Sequence, residues 1–292
     1  MSEKGTAAFV GLGVMGYPMA GHLASNGYEM RVYNRTGNKS EQWVGSHKGT
    51  AHSTPAEAAG GADFVMTCVG NDDDLRSVVL GEAGVFSGMK EGGVLIDHTT
   101  TSAIVARELA EEARNRGLGF LDAPVSGGQA GAENGALTIM VGGVSEVFDG
   151  CEAVMKSYGK TVIRMGGVGA GQLTKMVNQI CIAGLVQGLS EAMNFAIRAG
   201  LDAKRAAEVM SGGAAQSWQM DNRAASMVAG EFEFGFAVDW MRKDLGICLE
   251  EAQTNGARLP ITEIVDGYYA DVQAKGGNRY DTSSLILNLQ DN

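Results

Sequence analysis

The feature that most constrains the fold is a glycine pattern between an apolar run and a helical pattern near the start of the chain. Residues 7–10 are strand-like, residues 17–25 are helix-like, and G-x-G-x-x-G lies between them. In such a strand-turn-helix unit the first glycine makes the turn, the second lets a pyrophosphate approach the backbone, and the third lets the helix pack on the strand. The helix N-terminus then offers free N–H groups to phosphates. We therefore predict a dinucleotide-binding loop formed by Gly11, Leu12, Gly13, Val14, Met15 and Gly16.

The rest of the first half continues this alternation of strand and helix patterns. Strand-like runs occur at residues 7–10, 30–33, 64–69, 94–96, 120–121 and 137–141. Such alternation predicts βαβ units and a mostly parallel sheet. Residues 171–199 form one long and unusually apolar helical pattern, and further helical patterns follow. We predict an α/β Rossmann domain over residues 1–166 and an all-α domain over residues 167–292, joined by a long interdomain helix.

The residues after the second strand bear on which dinucleotide is bound. An NAD site typically has a carboxylate there that accepts from the ribose 2′-OH. This chain has Asn34, Arg35 and Thr36 instead. A guanidinium offers a planar fork of donors to a 2′-phosphate, and the two polar neighbours add uncharged hydrogen bonds. The pattern predicts a preference for NADP, with NAD as the alternative, although a solvated surface arginine would give the same sequence.

Two later segments carry chemistry that suits a small anionic substrate. Ser126, Gly127 and Gly128 follow Asp122-Ala123-Pro124-Val125 and offer a hydroxyl and bare backbone N–H groups, which suit a carboxylate. A tight structural turn is the alternative explanation.

Lys175 lies one turn into the long apolar helix, with Asn178 three residues later on the same face. Burial lowers the pKa of an amine toward the range that a general acid/base needs. A lysine that extends its ammonium group to solvent is the alternative.

Composition narrows the partners. The formal net charge of −11 makes nucleic acid and anionic membranes unfavourable partners. No uninterrupted apolar run reaches about 18 residues, and the first residues lack a signal-peptide pattern. The four cysteines and four histidines show no metal-ligand spacing. We expect a cytoplasmic protein with no metal site and a small-molecule carboxylate substrate.

These motifs, in this order, resemble the β-hydroxyacid dehydrogenase family. The resemblance extends from about residue 9 to about residue 287 and rests on the glycine loop, the D-A-P-V-S-G-G segment, the G-A-G-x-x-x-K helix start and Lys243-Asp244-Leu245. It implies a Rossmann domain, a connecting helix, an all-helical second domain and a homodimer or homotetramer. It also implies interconversion of a 3-hydroxyacid and its semialdehyde.

The resemblance implies roles for several residues. Lys175 matches the catalytic lysine, and Ser126 with its two glycines matches the segment that holds the substrate carboxylate. Asn178 matches a polar partner that positions the substrate. Many relatives carry asparagine four residues after the lysine, where this chain has Gln179. The choice between these two polar partners therefore stays open.

Other roles concern the cofactor. Thr100 matches a threonine near nicotinamide and substrate, and Lys243 matches a cofactor-contacting lysine. Val69 and Gly70 stand in a cofactor-lining loop where the family usually has Leu-Pro, so the shape of this loop is open.

Several alternatives remain from the sequence. They are a short-chain semialdehyde, glyoxylate or tartronate semialdehyde reductase, and a non-catalytic NADP-binding relative. The residues after Lys175 count against a 6-phosphogluconate dehydrogenase, and the lysine itself counts against an imine reductase.

Overall fold

The computed structural model describes residues 4–290. Within them a nine-stranded sheet is built from β1 (Thr6–Val10), β2 (Glu29–Tyr33), β3 (Thr50–Ala51), β4 (Phe64–Thr67), β5 (Val94–Asp97), β6 (Gly119–Asp122), β7 (Val125–Ser126), β8 (Leu137–Gly143) and β9 (Gly159–Gly166). The first six strands run parallel in the order β3-β2-β1-β4-β5-β6. β6 and β7 pair antiparallel with successive parts of β8, and β9 pairs parallel with its other side.

Helices cover the sheet on both faces. They are α1 (Gly16–Ser25), α2 (Gly37–Ser46), α3 (Pro55–Ala59), α4 (Asp72–Leu80), α5 (Val85–Gly88), α6 (Ala103–Asn115), α7 (Gly128–Glu133) and α8 (Ser145–Met155). Alternate residues of β1 belong to different cores: Phe9 packs in the cluster of Met19 from α1, and Val10 in the cluster of Leu109 from α6. Burial on both faces explains why the strands are apolar without alternation.

The predicted Rossmann fold is confirmed by this arrangement. The chain leaves β1 toward β2 on one side and reaches β4 on the other, so the strand order reverses between β1 and β4. Ligands of open α/β sheets bind at such a reversal, beyond the carboxyl ends of the strands. Strands β3, β7 and β9 were not among the predicted runs, because β3 and β7 are only two residues long and the exposed residues of the longer β9 weaken its apolar signal.

Apart from one isolated β-bridge between Ala237 and Asp281, the regular elements of the second compact unit are all helices within the described residues. After the long helix α9 (Ala170–Arg198) come α10 (Ala203–Met210), α11 (Trp218–Ala229), α12 (Val238–Asn255), α13 (Pro260–Ala274), a 3-10 turn (Thr282–Ile286) and α14 (Leu287–Gln290). One core cluster of this unit contains Met193 and Met227, and another contains Met241 and Tyr269. The fold class predicted from the sequence, a Rossmann domain followed by an all-α domain, is therefore present.

The two compact units divide between Lys175 and Met176, nine residues after the boundary drawn from the sequence. The sequence boundary was placed where the glycine-rich segment ends the β pattern. The first turn of α9 nevertheless belongs to the first unit, because Asp122 accepts hydrogen bonds from the N–H groups of Gly169 and Gln172. Because α9 starts in the first unit and continues into the second, its helical periodicity does not show where one unit ends and the other begins.

Among residues 4–290, α9 is the one helix long and apolar enough to cross a membrane, judged by length and composition alone. Although no uninterrupted apolar run is that long, the residues that interrupt the pattern are mostly uncharged. The core helix of a soluble protein meets the same criteria, so these properties do not assign α9 to a membrane.

Candidate active site

The three glycines of the glycine loop differ in what a Cβ would contact: at two of them it would collide with the protein, and at the third it would meet no protein atom. Gly11 has φ +100°, and a Cβ there would collide with the carbonyl oxygen of Cys68 at the end of β4. A Cβ on Gly16 would collide with the carbonyl oxygen of Gly11. A Cβ on Gly13 would meet nothing within 4 Å. Since nothing in the protein demands the second glycine, its bare backbone fits the close approach of a pyrophosphate.

Asn34 holds this loop to the end of β2. Its Oδ1 accepts a hydrogen bond from the N–H of Leu12 at 2.9 Å, and its Nδ2 donates to the carbonyl of Thr36 at 3.1 Å. The N–H of Gly11 also donates to the Tyr33 carbonyl at 2.9 Å. Asn34 therefore shapes the loop through its side chain, a role that the sequence interpretation, which assigned it to a phosphate, did not include.

Arg35 has a carboxylate neighbour that the sequence did not indicate. The Arg35 side chain is 84% exposed, and its Nη1 lies 3.0 Å from Oδ1 of Asp74 in the first turn of α4. The N–H of Asp74 in turn donates to Oδ1 of Asn71, which caps α4. An exposed ion pair of this kind contributes at most about 1 kcal/mol, so Arg35 can exchange this partner for a phosphate.

A chain of hydrogen bonds joins the ends of β4 and β5. Asp97 Oδ1 accepts from the hydroxyls of Thr67 and Thr99, at 2.7 Å and 2.6 Å, and from the Thr99 N–H. The Thr99 hydroxyl also accepts from the N–H of Val69 at 3.1 Å. The predicted cofactor-lining residues Val69 and Gly70 thus begin a loop fixed by Asp97, and Thr100 follows the same anchor.

Burial dominates the protonation of this region. It raises the pKa of the Asp97 carboxyl to about 7, and the nearby carboxylate of Asp122 adds to the rise against the hydrogen bonds that lower it. Among the described residues, Asp97 Oδ2 has no hydrogen-bond partner, which suits a carboxyl that keeps its proton. Burial also lowers the pKa of His98 to about 4.

His98 is held as a neutral structural group. A carbonyl only accepts, so Nδ1–H donates to the Ala123 carbonyl at 2.6 Å, and Nε2 accepts from the Tyr158 hydroxyl at 2.8 Å. With both ring nitrogens engaged inside the protein, His98 is not a candidate acid or base.

The start of α9 is fixed by two side chains. Asp122, at the end of β6, accepts from the N–H groups of Gly169 at 2.8 Å and Gln172 at 3.0 Å. A carboxylate at a helix N-terminus is stabilised by the helix dipole. Burial nevertheless raises the Asp122 pKa to about 6, against those backbone bonds. The Gln172 side chain bonds in turn to the backbone of Thr99 and Thr101.

Lys175 follows on the same helix and is the last residue of the first unit. Its side chain is buried, with the residue 8% exposed. Gln172 and Lys175 are three residues apart and therefore share a helix face. The structure thus connects the helix that carries Lys175 to the carboxyl ends of β5 and β6. Sequence reasoning identified Lys175 but missed Gln172, whose only signal was a polar residue in an apolar helix.

The proposed carboxylate segment begins at Ser126, the last residue of β7, and ends at Gly128, the first residue of α7. Gly127 and Gly128 have φ values of +129° and +61°, in the region where side chains are disfavoured. A Cβ on Gly128 would meet nothing within 4 Å, whereas one on Gly127 would approach the Leu137 side chain. The turn after Ser126 therefore depends on glycine, and its role toward a carboxylate stays a prediction.

In the second unit, the two candidate polar partners form one chain. Asn178 Nδ2 donates to Gln179 Oε1 at 2.8 Å, and Gln179 Nε2 donates to Asp244 Oδ2 at 2.6 Å. Lys243 Nζ lies 3.1 Å from Asp244 Oδ1. Gln179 and Asp244 are each 2% exposed. Gln179 therefore supports Asn178 and a buried carboxylate, and contact of either amide with a substrate stays a prediction.

Family models cover nearly the whole chain. Residues 6–167 match the NAD binding domain of 6-phosphogluconate dehydrogenase. Residues 169–289 match the model described as NAD-binding of NADP-dependent 3-hydroxyisobutyrate dehydrogenase.

Full-length relatives and solved structures agree with these models. An uncharacterized oxidoreductase of Shewanella frigidimarina (strain NCIMB 400) is 60% identical over 97% of both chains. The mitochondrial 3-hydroxyisobutyrate dehydrogenase of Mus musculus is 33% identical over 100% of this chain and 89% of its own length. The solved structure of Mycobacterium tuberculosis 3-hydroxyisobutyrate dehydrogenase with L-serine has a TM-score of 0.88 at 28% identity, covering 98% of this chain and 99% of that one.

Proposed function

The chain belongs to the 3-hydroxyisobutyrate dehydrogenase family of nicotinamide-dependent oxidoreductases, and we propose that it interconverts a 3-hydroxyacid and its semialdehyde with a preference for NADP. The observation that carries this proposal is a buried lysine, Lys175, on a helix anchored by Asp122 and Gln172 to the ends of β6 and β5. These strand ends are where an open α/β sheet binds its ligands.

In the proposed mechanism Lys175 moves the proton. When bound, the nicotinamide cofactor supplies the hydride chemistry. In oxidation Nζ of Lys175, as the neutral amine, accepts the hydroxyl proton while the carbinol carbon loses its hydride. In reduction the ammonium returns a proton to the carbonyl oxygen. Ser126 and the N–H groups of Gly127 and Gly128 hold the substrate carboxylate and so orient the reacting carbon.

The preference for NADP is supported by the residues after β2. No carboxylate follows Tyr33 there, so a 2′-phosphate would not meet an acid from this strand. Arg35 offers its guanidinium from the same position, and its exposed pair with Asp74 is weak enough to exchange. The model matched by residues 169–289, which bears the name of an NADP-dependent enzyme, agrees with this choice.

The test follows nicotinamide absorbance with a panel of 3-hydroxyacids and semialdehydes, each offered with NADP(H) and NAD(H). We expect one substrate to exceed the others with NADP(H). Lys175→Ala should keep cofactor binding and lose turnover by a factor of about 10² or more. Lys156→Ala is the matched control, since that lysine pairs with Glu152 on the surface. Normal turnover in Lys175→Ala would contradict the proposed mechanism.

The cofactor preference is tested separately. Arg35→Asp should shift the ratio of the two catalytic efficiencies toward NAD by about tenfold or more, because a carboxylate repels a 2′-phosphate and accepts from a ribose hydroxyl. Arg116→Asp, on the exposed end of α6, is the control for a change of charge. An unchanged ratio in Arg35→Asp would contradict the NADP assignment and leave the reaction class intact.

We also propose a homo-oligomer, supported by exposed apolar side chains of the second unit. Phe195, Leu201 and Val209 are 72%, 59% and 74% exposed. A second copy of the chain would cover these side chains. Light scattering should give at least twice the mass of 30.5 kDa, and Phe195→Glu should lower it. A monomer at micromolar concentration would contradict this proposal.

A further inference from the structure

Gln172 joins the first turn of α9 to the backbone on both sides of Thr100. Its Nε2 donates to the carbonyl oxygen of Thr99 at 2.7 Å, and its Oε1 accepts from the N–H of Thr101 at 3.1 Å. The residue is fully buried. One planar amide thus satisfies a buried donor and a buried acceptor that belong to residues two apart.

Gln172 itself and one of its two partners, Thr99, are also held by buried carboxyls. Asp97 holds Thr99 through its N–H and its hydroxyl. Asp122 holds the backbone N–H of Gln172 at 3.0 Å. Among the described residues, the Gln172 side chain therefore links α9 directly to the backbone on both sides of Thr100. Asp97 and Asp122 hold the two ends of this link.

Lys175 lies three residues after Gln172, so the two side chains leave the same face of α9. A shift of the first turn of α9 against residues 99–101 would move Lys175 and Thr100 relative to each other. Displacements of about 1 Å in a reacting geometry can cost about a hundredfold in rate.

We propose that Gln172 is a positioning residue that sets the distance between Lys175 and the Thr100 segment. This inference rests on the proposed function, in which Lys175 moves the proton, and on the prediction from the family resemblance that Thr100 lies near nicotinamide and substrate. Gln172 acts through these residues and takes no part in proton transfer itself.

The chemistry of the amide explains the residue type. The Thr99 carbonyl requires a donor and the Thr101 N–H requires an acceptor, and glutamine supplies both at once. An ionised glutamate supplies only the acceptor. A methionine of similar length supplies neither, and it leaves the two backbone groups buried without that partner.

The experiment compares Gln172→Met and Gln172→Glu with the wild type, using the substrate and cofactor of highest activity. Gln187→Met is the matched control, since Gln187 is a buried glutamine of the same helix whose side chain donates to Glu191 one turn later. We expect Gln172→Met to lose kcat by about 10- to 100-fold. The Kd of the cofactor and the KM should stay within about threefold. The primary isotope effect on kcat with deuterated substrate should rise, because hydride transfer becomes the slow step.

Gln172→Glu gives a pH readout that a general loss of stability would not produce. A buried carboxyl has a raised pKa, and once protonated it can donate to the Thr99 carbonyl again. The ratio of variant to wild-type kcat should therefore rise as the pH falls. In Gln172→Met the same ratio should not change with pH.

Hydrogen exchange tests the coupling without turnover. The amides of residues 98–102 should exchange faster in Gln172→Met than in the wild type or Gln187→Met. Unchanged exchange, or a loss of kcat no larger than in Gln187→Met, would overturn the positioning role. A wild type that turns over no member of the panel would instead refute the proposed function, and the exchange result would still decide whether Gln172 couples α9 to this segment.

Discussion

The protonation of Asp97 can be tested through the stability of the first unit. Asp97 is fully buried, and burial raises its pKa from 3.8 to about 7. Asp97→Asn removes the titration and keeps an acceptor oxygen for Thr67 and Thr99, which bond to Oδ1. The variant therefore separates the effect of the charge from the effect of these hydrogen bonds.

The sign follows from the raised pKa. Below about pH 4 the carboxyl is protonated in both the folded and the unfolded state, and its contribution to stability is fully present. Between about pH 4 and 7 the folded protein holds one more proton than the unfolded chain, so stability falls by about 1.4 kcal/mol per pH unit. Over about three units this amounts to roughly 4 kcal/mol.

His98 opposes this slope in the wild type. Its pKa is lowered to about 4, so its contribution is present above about pH 6.5 and is lost as the pH falls toward 4. Burial also raises the pKa of Asp122 to about 6, so this carboxyl adds to the fall, and the stability of the wild type alone does not isolate Asp97. The difference between wild type and Asp97→Asn cancels His98 and isolates the carboxyl.

The assay is urea unfolding from pH 4.5 to 7.5, monitored by the fluorescence of Trp43, which is fully buried in the first unit. Replacing the half-exposed Trp218 and Trp240 by phenylalanine removes the signal of the second unit. The free energy of unfolding of the wild type minus that of Asp97→Asn should fall by about 3 kcal/mol over this range.

Asp63→Asn is the control for this series. The hydrogen bond from Lys90 lowers the pKa of the Asp63 carboxyl, so its contribution is lost only below about pH 4 and its difference curve should be flat from pH 4.5 to 7.5. A difference for Asp97→Asn that stays constant within about 0.5 kcal/mol would refute the reasoning, because it would mean that Asp97 does not keep a proton on folding.

Three further outcomes are expected. Gly13→Ala should leave the melting temperature within about 2 °C, because the added Cβ meets no protein atom, and raise the Kd of the cofactor by about tenfold or more, because that Cβ occupies the space through which the phosphate approaches. Scanning calorimetry and cofactor titration measure the two quantities, and unchanged cofactor binding would contradict this prediction. Asp74→Asn should raise the ratio of the catalytic efficiency with NADP to that with NAD by about two- to fivefold, because it releases Arg35 from its 3.0 Å ion pair. Steady-state kinetics measures this ratio, and a fall in the ratio would contradict the prediction and indicate that Asp74 itself contacts the cofactor. Arg223→Ala should lower the free energy of unfolding of the second unit by about 3 kcal/mol, because the Asp281 side chain is 1% exposed and would lose its ion-pair partner. A decrease in that free energy of less than about 1 kcal/mol, measured by urea unfolding, would contradict this prediction.

The local elements were predictable because their signals are local. The parallel strands and α9 were each identified from a pattern within one element, and the glycine loop from the strand and helix patterns beside it. The bounds of α9 differ from the predicted ones by one residue at each end. The fold class and the family were predicted and are confirmed. The absence of an acid after β2 was also visible in the sequence, whereas its consequence for NADP stays a prediction.

The contacts that organise the candidate site were not predictable in this way. Asp74 reaches Arg35 from 39 residues away, and Gln172 reaches Thr99 from 73 residues away. Neither pair shares a period or a motif. They meet because the strand order brings the ends of separate strands to one edge of the sheet.

The sequence by itself determined six of the nine strands in the described residues and the long helix α9, where the backbone must be glycine, and which lysine enters an apolar helix. Periodicity and turn chemistry encode these properties within a few residues. The tertiary structure alone decided that Asp97 is buried beside Asp122, that Asn34 holds the glycine loop, and that Gln172 fastens α9 to the end of β5. Burial and hydrogen bonding between distant residues depend on how the strands are ordered and packed, and no local pattern carries that information.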